Sequence, residues 1–229
     1  MTLRYLLLLA LAGTAFEAVA ASAPPIPSGG GFASSRWDAA FAAFAADDAA
    51  HPHPAGGVLF VGSSSIRLWN DLEHQFKDLP VVIQRGFGGS QLSDCVRNLS
   101  RLVLRYRPRT VLVYAGDNDL AAGIAPVEVL RRFTRFVDGV HRELPDTRID
   151  YISIKPSPSR IGLLSQIRET NALIRDYADS DGKVEYIDVF TPMLDASGEP
   201  RRELFRADAL HLNAQGYALW KQVIAPHVY

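Results

Sequence analysis

Five apolar runs of strand length, separated by segments with helical hydrophobic spacing, limit this chain to very few architectures. The runs are "VLFVG" at Val58–Gly62, "VVIQ" from Val81, "TVLVYAG" from Thr110, "RIDYISI" from Arg148 and "VEYIDVF" from Val184. Between them Leu92, Cys95, Val96, Leu99, Val103 and Tyr106 recur on one helical face, and Val127, Leu130, Phe133, Val137, Val140 and Leu144 on another. A helix carrying Trp37, Phe41 and Phe44 precedes the first strand, and a last helix is expected from Ala214 to about Ala225. Near-continuous apolar strands are buried on both faces, and alternating helices supply the covering layers. The expected fold is a three-layer α/β/α domain around a five-stranded parallel sheet.

Such sheets bind ligands beyond the carboxyl ends of their strands, so the residues after each strand carry the functional information. After the first strand comes "GSSSIRLW", where a serine between a strand and a helix N-terminus sits beside backbone N–H groups that stabilise negative charge. After the second comes "RGFGGS", and its glycines either make a turn with positive φ or bring an N–H to a ligand. After the third comes "AGDNDL", in which Asn118 caps a turn or donates into the crevice. After the fifth comes "DALH", with Asn213 placed to cap the helix behind it. Each segment alone reads as ordinary turn chemistry. Together, at one end of one sheet, they supply a nucleophile, oxyanion donors, a general base and its orienting partner, the set that acyl transfer needs.

Taken in order, Gly62-Ser63-Ser64-Ser65, "GFGGS", Gly116-Asp117-Asn118-Asp119 and Asp208-Ala209-Leu210-His211 resemble the successive blocks of the SGNH/GDSL hydrolases, esterases and lipases with a flavodoxin-like fold. The resemblance covers nearly all of the domain. It implies Ser64 as nucleophile, the Ser64 and Gly89 N–H groups with Asn118 as oxyanion donors, His211 as general base and Asp208 as its partner. The family has aspartate before the nucleophile; here that position is Ser63. No metal or organic cofactor is implied. The implied activity is serine-dependent hydrolysis of a carboxylic ester, with short acyl groups such as O-acetyl expected, because the crevice loops are rich in Gly, Ser and Pro and the connections between elements look short. A lysophospholipase or lipase-type acylhydrolase, and a non-catalytic glycan- or lipid-binding module on the same fold, are the alternatives.

The remaining sequence sets bounds. The 229 residues are 48% hydrophobic and 21% charged with a formal net charge of -1, an ordinary composition for one globular domain with no basic run to attract nucleic acid. The expected partner is a small-molecule or carbohydrate ester. Residues 1–23 combine Arg4, an apolar run from Tyr5 to Ala12 and small-residue patterns at Ala18-Val19-Ala20 and Ala21-Ser22-Ala23, the layout of a secretory signal peptide, so a periplasmic or extracellular location is expected without stable membrane insertion. Residues 24–35 read as a flexible leader and 36–229 as the domain. Cys95, the single cysteine, is expected as a buried structural thiol. His51 and His53, each followed by proline, are read as an exposed loop rather than metal ligands, and Asp117 with Asp119 as a weak magnesium pattern. Lys155, Ser157 and Arg160, after the fourth strand, have no assigned role at this stage.

Overall fold

A computed structural model describes residues 36–228. The proposed signal peptide and leader lie outside the described residues. In chain order the elements are α1 (Asp38–Ala50), β1 (Val58–Gly62), α2 (Ser64–Arg67), α3 (Leu72–Gln75), β2 (Val82–Gly86), α4 (Leu92–Arg97), α5 (Leu99–Leu102), β3 (Thr110–Tyr114), α6 (Asp117–Ala121), α7 (Pro126–Glu143), β4 (Arg148–Ile152), α8 (Leu164–Ser180), β5 (Val184–Ile187) and α9 (Ala214–Val228). All five strands pair in parallel in the order β2-β1-β3-β4-β5. The three-layer α/β/α expectation therefore holds.

Alternation along each strand divides the core into two layers. Leu59, Val61, Val111, Val113, Ile149 and Tyr151 join one cluster with Phe41, Cys95, Phe133 and Ile174, whereas Val58, Phe60, Leu112 and Tyr114 join another with Ile66, Trp69, Trp220 and Ile224. Helices α1, α4, α5, α7 and α8 thus cover one face and α2, α3 and α9 the other. Cys95 is buried as expected, and burial pushes its thiol pKa well up, which keeps it un-ionised and inert.

Two helical faces differ from the periodicity reading. The apolar run from Leu92 to Tyr106 is broken into α4, α5 and a 3₁₀ turn at Leu104–Tyr106, because the Asn98 side chain donates back to the Asp94 carbonyl (2.9 Å) and competes with continued helix. In α7 the buried stripe is Val129, Phe133, Phe136, Val137 and Val140, while Val127 is among the most exposed large apolar residues, so the face is rotated from the one expected.

Chain order reverses between β1 and β3: β2 lies on one side of β1 and β3 on the other. At such a switch point ligands bind beyond the strand ends, where the segments after β1 and β3 emerge. The candidate site is assembled there.

Candidate active site

β1 ends on Gly62 with φ +141°, where an added Cβ would lie 2.0 Å from the Tyr114 carbonyl oxygen. Only glycine allows that approach, and it lets the Ser63 N–H donate to the same carbonyl (3.0 Å), fixing the exit from the strand. The chain then turns directly into α2, whose first residue is Ser64. Ser63 and Ser65 are buried, at 2% and 1% exposure, whereas Ser64 is half-buried and places its Oγ 3.0 Å from His211 Nε2. Of the three consecutive serines, Ser64 alone meets the imidazole.

Asp208 and His211 come from a loop whose conformation is built by the aspartate itself. Asp208 Oδ1 accepts the Leu210 N–H (3.0 Å) and the His211 N–H (2.9 Å), and Oδ2 lies 2.7 Å from His211 Nδ1. Ala209 between them takes a left-handed φ of +58°, uncommon for a residue with a Cβ. Hydrogen bonds from the imidazole and from those two amides hold the Asp208 carboxyl well below the usual carboxylate range. An ionised Asp208 fixes Nδ1 as the protonated nitrogen and leaves Nε2 as an acceptor facing Ser64. Behind them Asn213 Oδ1 accepts from Gln215 and Gly216, the cap expected for α9. The loop does not follow β5 directly. β5 ends at Ile187, and 3₁₀ turns at Thr191–Met193 and Arg202–Leu204 with bridges Leu194–Pro200 and Phe205–Leu212 intervene, so this connection is long where short ones were expected.

The remaining sequence-selected residues follow β2 and β3, the two strands that pair with β1. Gly89 has φ +72°, supplied by glycine at no steric cost. Its neighbouring carbonyls are held by the N-terminal segment: Trp37 Nε1 donates to Gly88 O (2.9 Å) and Arg36 to Gly89 O (2.7 Å). Asn118, in the first turn of α6, donates from Nδ2 to Ser90 O (3.0 Å) and accepts at Oδ1 from Arg160 (2.9 Å). That links the segments after β2, β3 and β4.

Sequence reasoning left Lys155 and Arg160 without a role; the structure puts both on Asp117. Buried Lys155 donates to Asp117 Oδ2 (2.8 Å) and to Tyr114 OH (3.0 Å), and Arg160 pairs with Asp117 Oδ1. Burial alone would raise the Asp117 pKa, but the two cations overrule it and hold the carboxyl below its usual value. Asn171 on α8 positions the start of this loop, accepting from Ile154 N and donating to Ile154 O, both at 2.9 Å. Ser159 N donates to Ala209 O (3.1 Å), so the loop also touches the Asp208–His211 turn. Asp119 is buried against Arg132 (2.8 Å) and the Leu92 N–H (3.1 Å). Both carboxylates of the magnesium pattern are therefore engaged by protein cations. Ser157 is buried with an unpartnered hydroxyl.

His53 departs from the exposed loop expected of it. Its side chain is only 15% exposed and gathers with Asp47 and Asp48 around Arg85, whose guanidinium lies 2.9 Å from Asp47 Oδ2 and 3.1 Å from His53 Nε2. A guanidinium fills the centre that a metal would need. His51 is exposed as expected.

Residues 60–219 match the GDSL-like Lipase/Acylhydrolase family, and the chain belongs to that family. No curated protein sequence matches it significantly. Its fold is similar to that of a Streptococcus pneumonia protein (22% identity, TM-score 0.73, covering 83% of this chain and 92% of that one). It is also similar to a GDSL-like lipase from Bacteroides thetaiotaomicron (20%, TM-score 0.71, 82% and 96%). A carbohydrate esterase family 3 structure from Talaromyces cellulolyticus is a further likeness (18%, TM-score 0.61, 75% and 95%). At these identities the likeness establishes the fold, that of the SGNH hydrolases.

Proposed function

We propose that this protein is an exported serine esterase that hydrolyses short-acyl carboxylic esters, O-acetyl groups among them, through an acyl-enzyme. The observation that carries the reading is the continuous relay from Asp208 Oδ2 to His211 Nδ1 (2.7 Å) and from His211 Nε2 to Ser64 Oγ (3.0 Å). His211 removes the Ser64 proton as Oγ attacks the ester carbonyl, and Asp208 stabilises the imidazolium that forms. The Ser64 and Gly89 N–H groups and Asn118 Nδ2 stabilise the developing oxyanion. The imidazolium then protonates the departing alkoxide, and water deprotonated by His211 attacks the acyl-serine to release the acid and restore Ser64.

The short-acyl preference is supported by the polar groups of the site, with His211 on Ser64, Asp208 on His211 and Arg160 on Asn118. Val127 and Ile161 are the exposed large hydrophobic residues among those described, which favours a short acyl group over a long one. The carbohydrate esterase likeness agrees with a sugar-borne acyl group. Export is supported by the N-terminal sequence, and the mature N-terminus of the secreted protein checks it. Labelling by a fluorophosphonate, abolished in Ser64→Ala, tests the nucleophile, and a series of acyl esters from acetate to decanoate tests the pocket. Each buried methylene of a matching groove contributes about 0.8 kcal/mol, so rates climbing toward decanoate would shift the reading to a lipase-type acylhydrolase. Absence of labelling in the folded wild type would shift it to a binding module.

A further inference from the structure

Two of the three amides assigned to the oxyanion, those of Gly89 and Asn118, share an arrangement that the family assignment does not contain. In a trans peptide the C=O and N–H point in opposite directions, so whatever fixes the Gly88 carbonyl also aims the Gly89 N–H. Trp37 Nε1 does this, donating to Gly88 O at 2.9 Å, with its ring packed edge-on against Phe87 at 5.4 Å. Asn118 is a side-chain amide gripped in the same way. Arg160 donates to its Oδ1 at 2.9 Å while Ser90 O takes one Nδ2 hydrogen at 3.0 Å, so the other Nδ2 hydrogen has a single remaining direction. Arg160 is itself anchored by Asp117, and Asp117 by buried Lys155.

We infer that Trp37 and Arg160 are positioning residues for the oxyanion site, each holding one donor amide by its oxygen end. The inference rests on the oxyanion roles proposed for Gly89 and Asn118. A donor to the oxygen of an amide polarises it, making its N–H a stronger donor as well as a fixed one, and a guanidinium does so most. Preorganised donors need no reorientation when charge develops on the substrate oxygen. Trp37 lies outside residues 60–219, so the segment leading into α1 completes a site whose other parts belong to the matched region.

Steady-state kinetics on acetate esters test this with Trp37→Phe, Arg160→Met, Arg160→Lys, Asn118→Ala and the doubles Asn118→Ala/Arg160→Met and Asn118→Ala/Trp37→Phe. Trp37→Phe retains an aromatic ring beside Phe87 but removes the indole N–H together with part of the ring. We expect kcat to fall about tenfold in Trp37→Phe and about 10- to 100-fold in Arg160→Met, with KM unchanged, as for a small misplacement of a catalytic group. In the Asn118→Ala background Arg160→Met should cost less than about twofold, because its only route to the reaction has been removed, whereas Trp37→Phe should keep its full factor. Arg160→Lys keeps a cation beside Asp117 but not the fork that reaches both partners, so it should still lose kcat even if Arg160→Met proves unstable. Wild-type kcat in Arg160→Lys, full additivity of Arg160→Met with Asn118→Ala, or a rise confined to KM would overturn the role of Arg160, and wild-type kcat in folded Trp37→Phe that of Trp37. An unchanged kcat in Asn118→Ala would instead remove the oxyanion assignment on which the role of Arg160 depends.

Discussion

Asp208 and Asp117 are both carboxylates beside the candidate site, and both are held below their ordinary pKa, but by opposite physics. Asp208 is about half exposed, and its partners lie within three residues: two backbone N–H groups and the His211 ring. Asp117 is buried, and its partners Lys155 and Arg160 stand 38 and 43 residues further along the chain. For Asp208 hydrogen bonds act almost without a desolvation cost; for Asp117 a large desolvation cost is outweighed by two cations. A local, solvated arrangement can be altered without collapse of what surrounds it, so its changes should be read in chemistry. Removing one member of a buried network leaves a charge without compensation, and its changes should be read first in stability.

The largest effect expected on the exposed side is loss of turnover. Ser64→Ala or His211→Ala should each lower kcat by about 10⁴- to 10⁶-fold, and the double variant should be little worse, since the two act as one unit. Both variants should melt close to wild type. Multiplicative losses, or a collapse of the fold in either, would break the contrast with Asp117.

On the buried side, Lys155→Met should destabilise the protein by about 3 kcal/mol, measured by denaturant unfolding, because Asp117 and Tyr114 lose a buried partner. Asp117→Asn combined with Lys155→Met should recover part of that loss, since no uncompensated carboxylate remains. If Lys155→Met costs less than about 1 kcal/mol, water reaches Asp117 and the two regions are not as different as their exposure indicates.

Asn118 joins the two regions, lying next to Asp117 in sequence and beside Ser90 in space. Asn118→Ala should lower kcat by about 10² to 10³ with little change in KM, because the bond strengthens only as charge develops on the substrate oxygen. A change confined to KM would make Asn118 a ground-state binder.

The same difference explains what the sequence made legible. The sheet was readable because apolar runs and helical spacing are local signals, and a serine after β1 and the Asp208–His211 pair were readable as candidates because they sit beside strand- or helix-end punctuation, while the choice of Ser64 among three serines rested on the family resemblance. Lys155 and Arg160 carried no local signal, since their partner Asp117 is brought to them only by the pairing of β3 with β4. His53 was misplaced for the same reason: the Arg85 that gathers it with Asp47 and Asp48 comes from β2. Trp37 read only as part of the first helix, and nothing in its spacing reports an indole N–H aimed at Gly88 O. Chemistry written into one loop can be read from that loop. Chemistry written across the sheet needs the fold.

Asp150 sharpens the comparison as a buried carboxylate with too few cations. It is fully buried on β4 with Arg148 Nε 3.0 Å away, but Glu185 stands nearby, hydrogen-bonded to His227. Burial pushes its carboxyl from 3.8 up to about 7, Arg148 relieves this only in part, and Glu185 adds to it. Asp117, with two cations, moves the other way. Between pH 4 and 7 folded Asp150 keeps a proton that the unfolded chain has released, so stability is highest below that window, falls as pH rises through it and is flat above. From pH 5 to pH 8 the loss should be on the order of 2 kcal/mol, a Tm decrease of roughly 4 to 8 °C for a chain of this size. Asp150→Asn cannot ionise and should flatten that profile. A wild-type Tm equal at the two pH values, or the same slope in Asp150→Asn, would mean that Arg148 alone suffices to keep Asp150 ionised, and that one cation does for a buried carboxylate here what two do for Asp117.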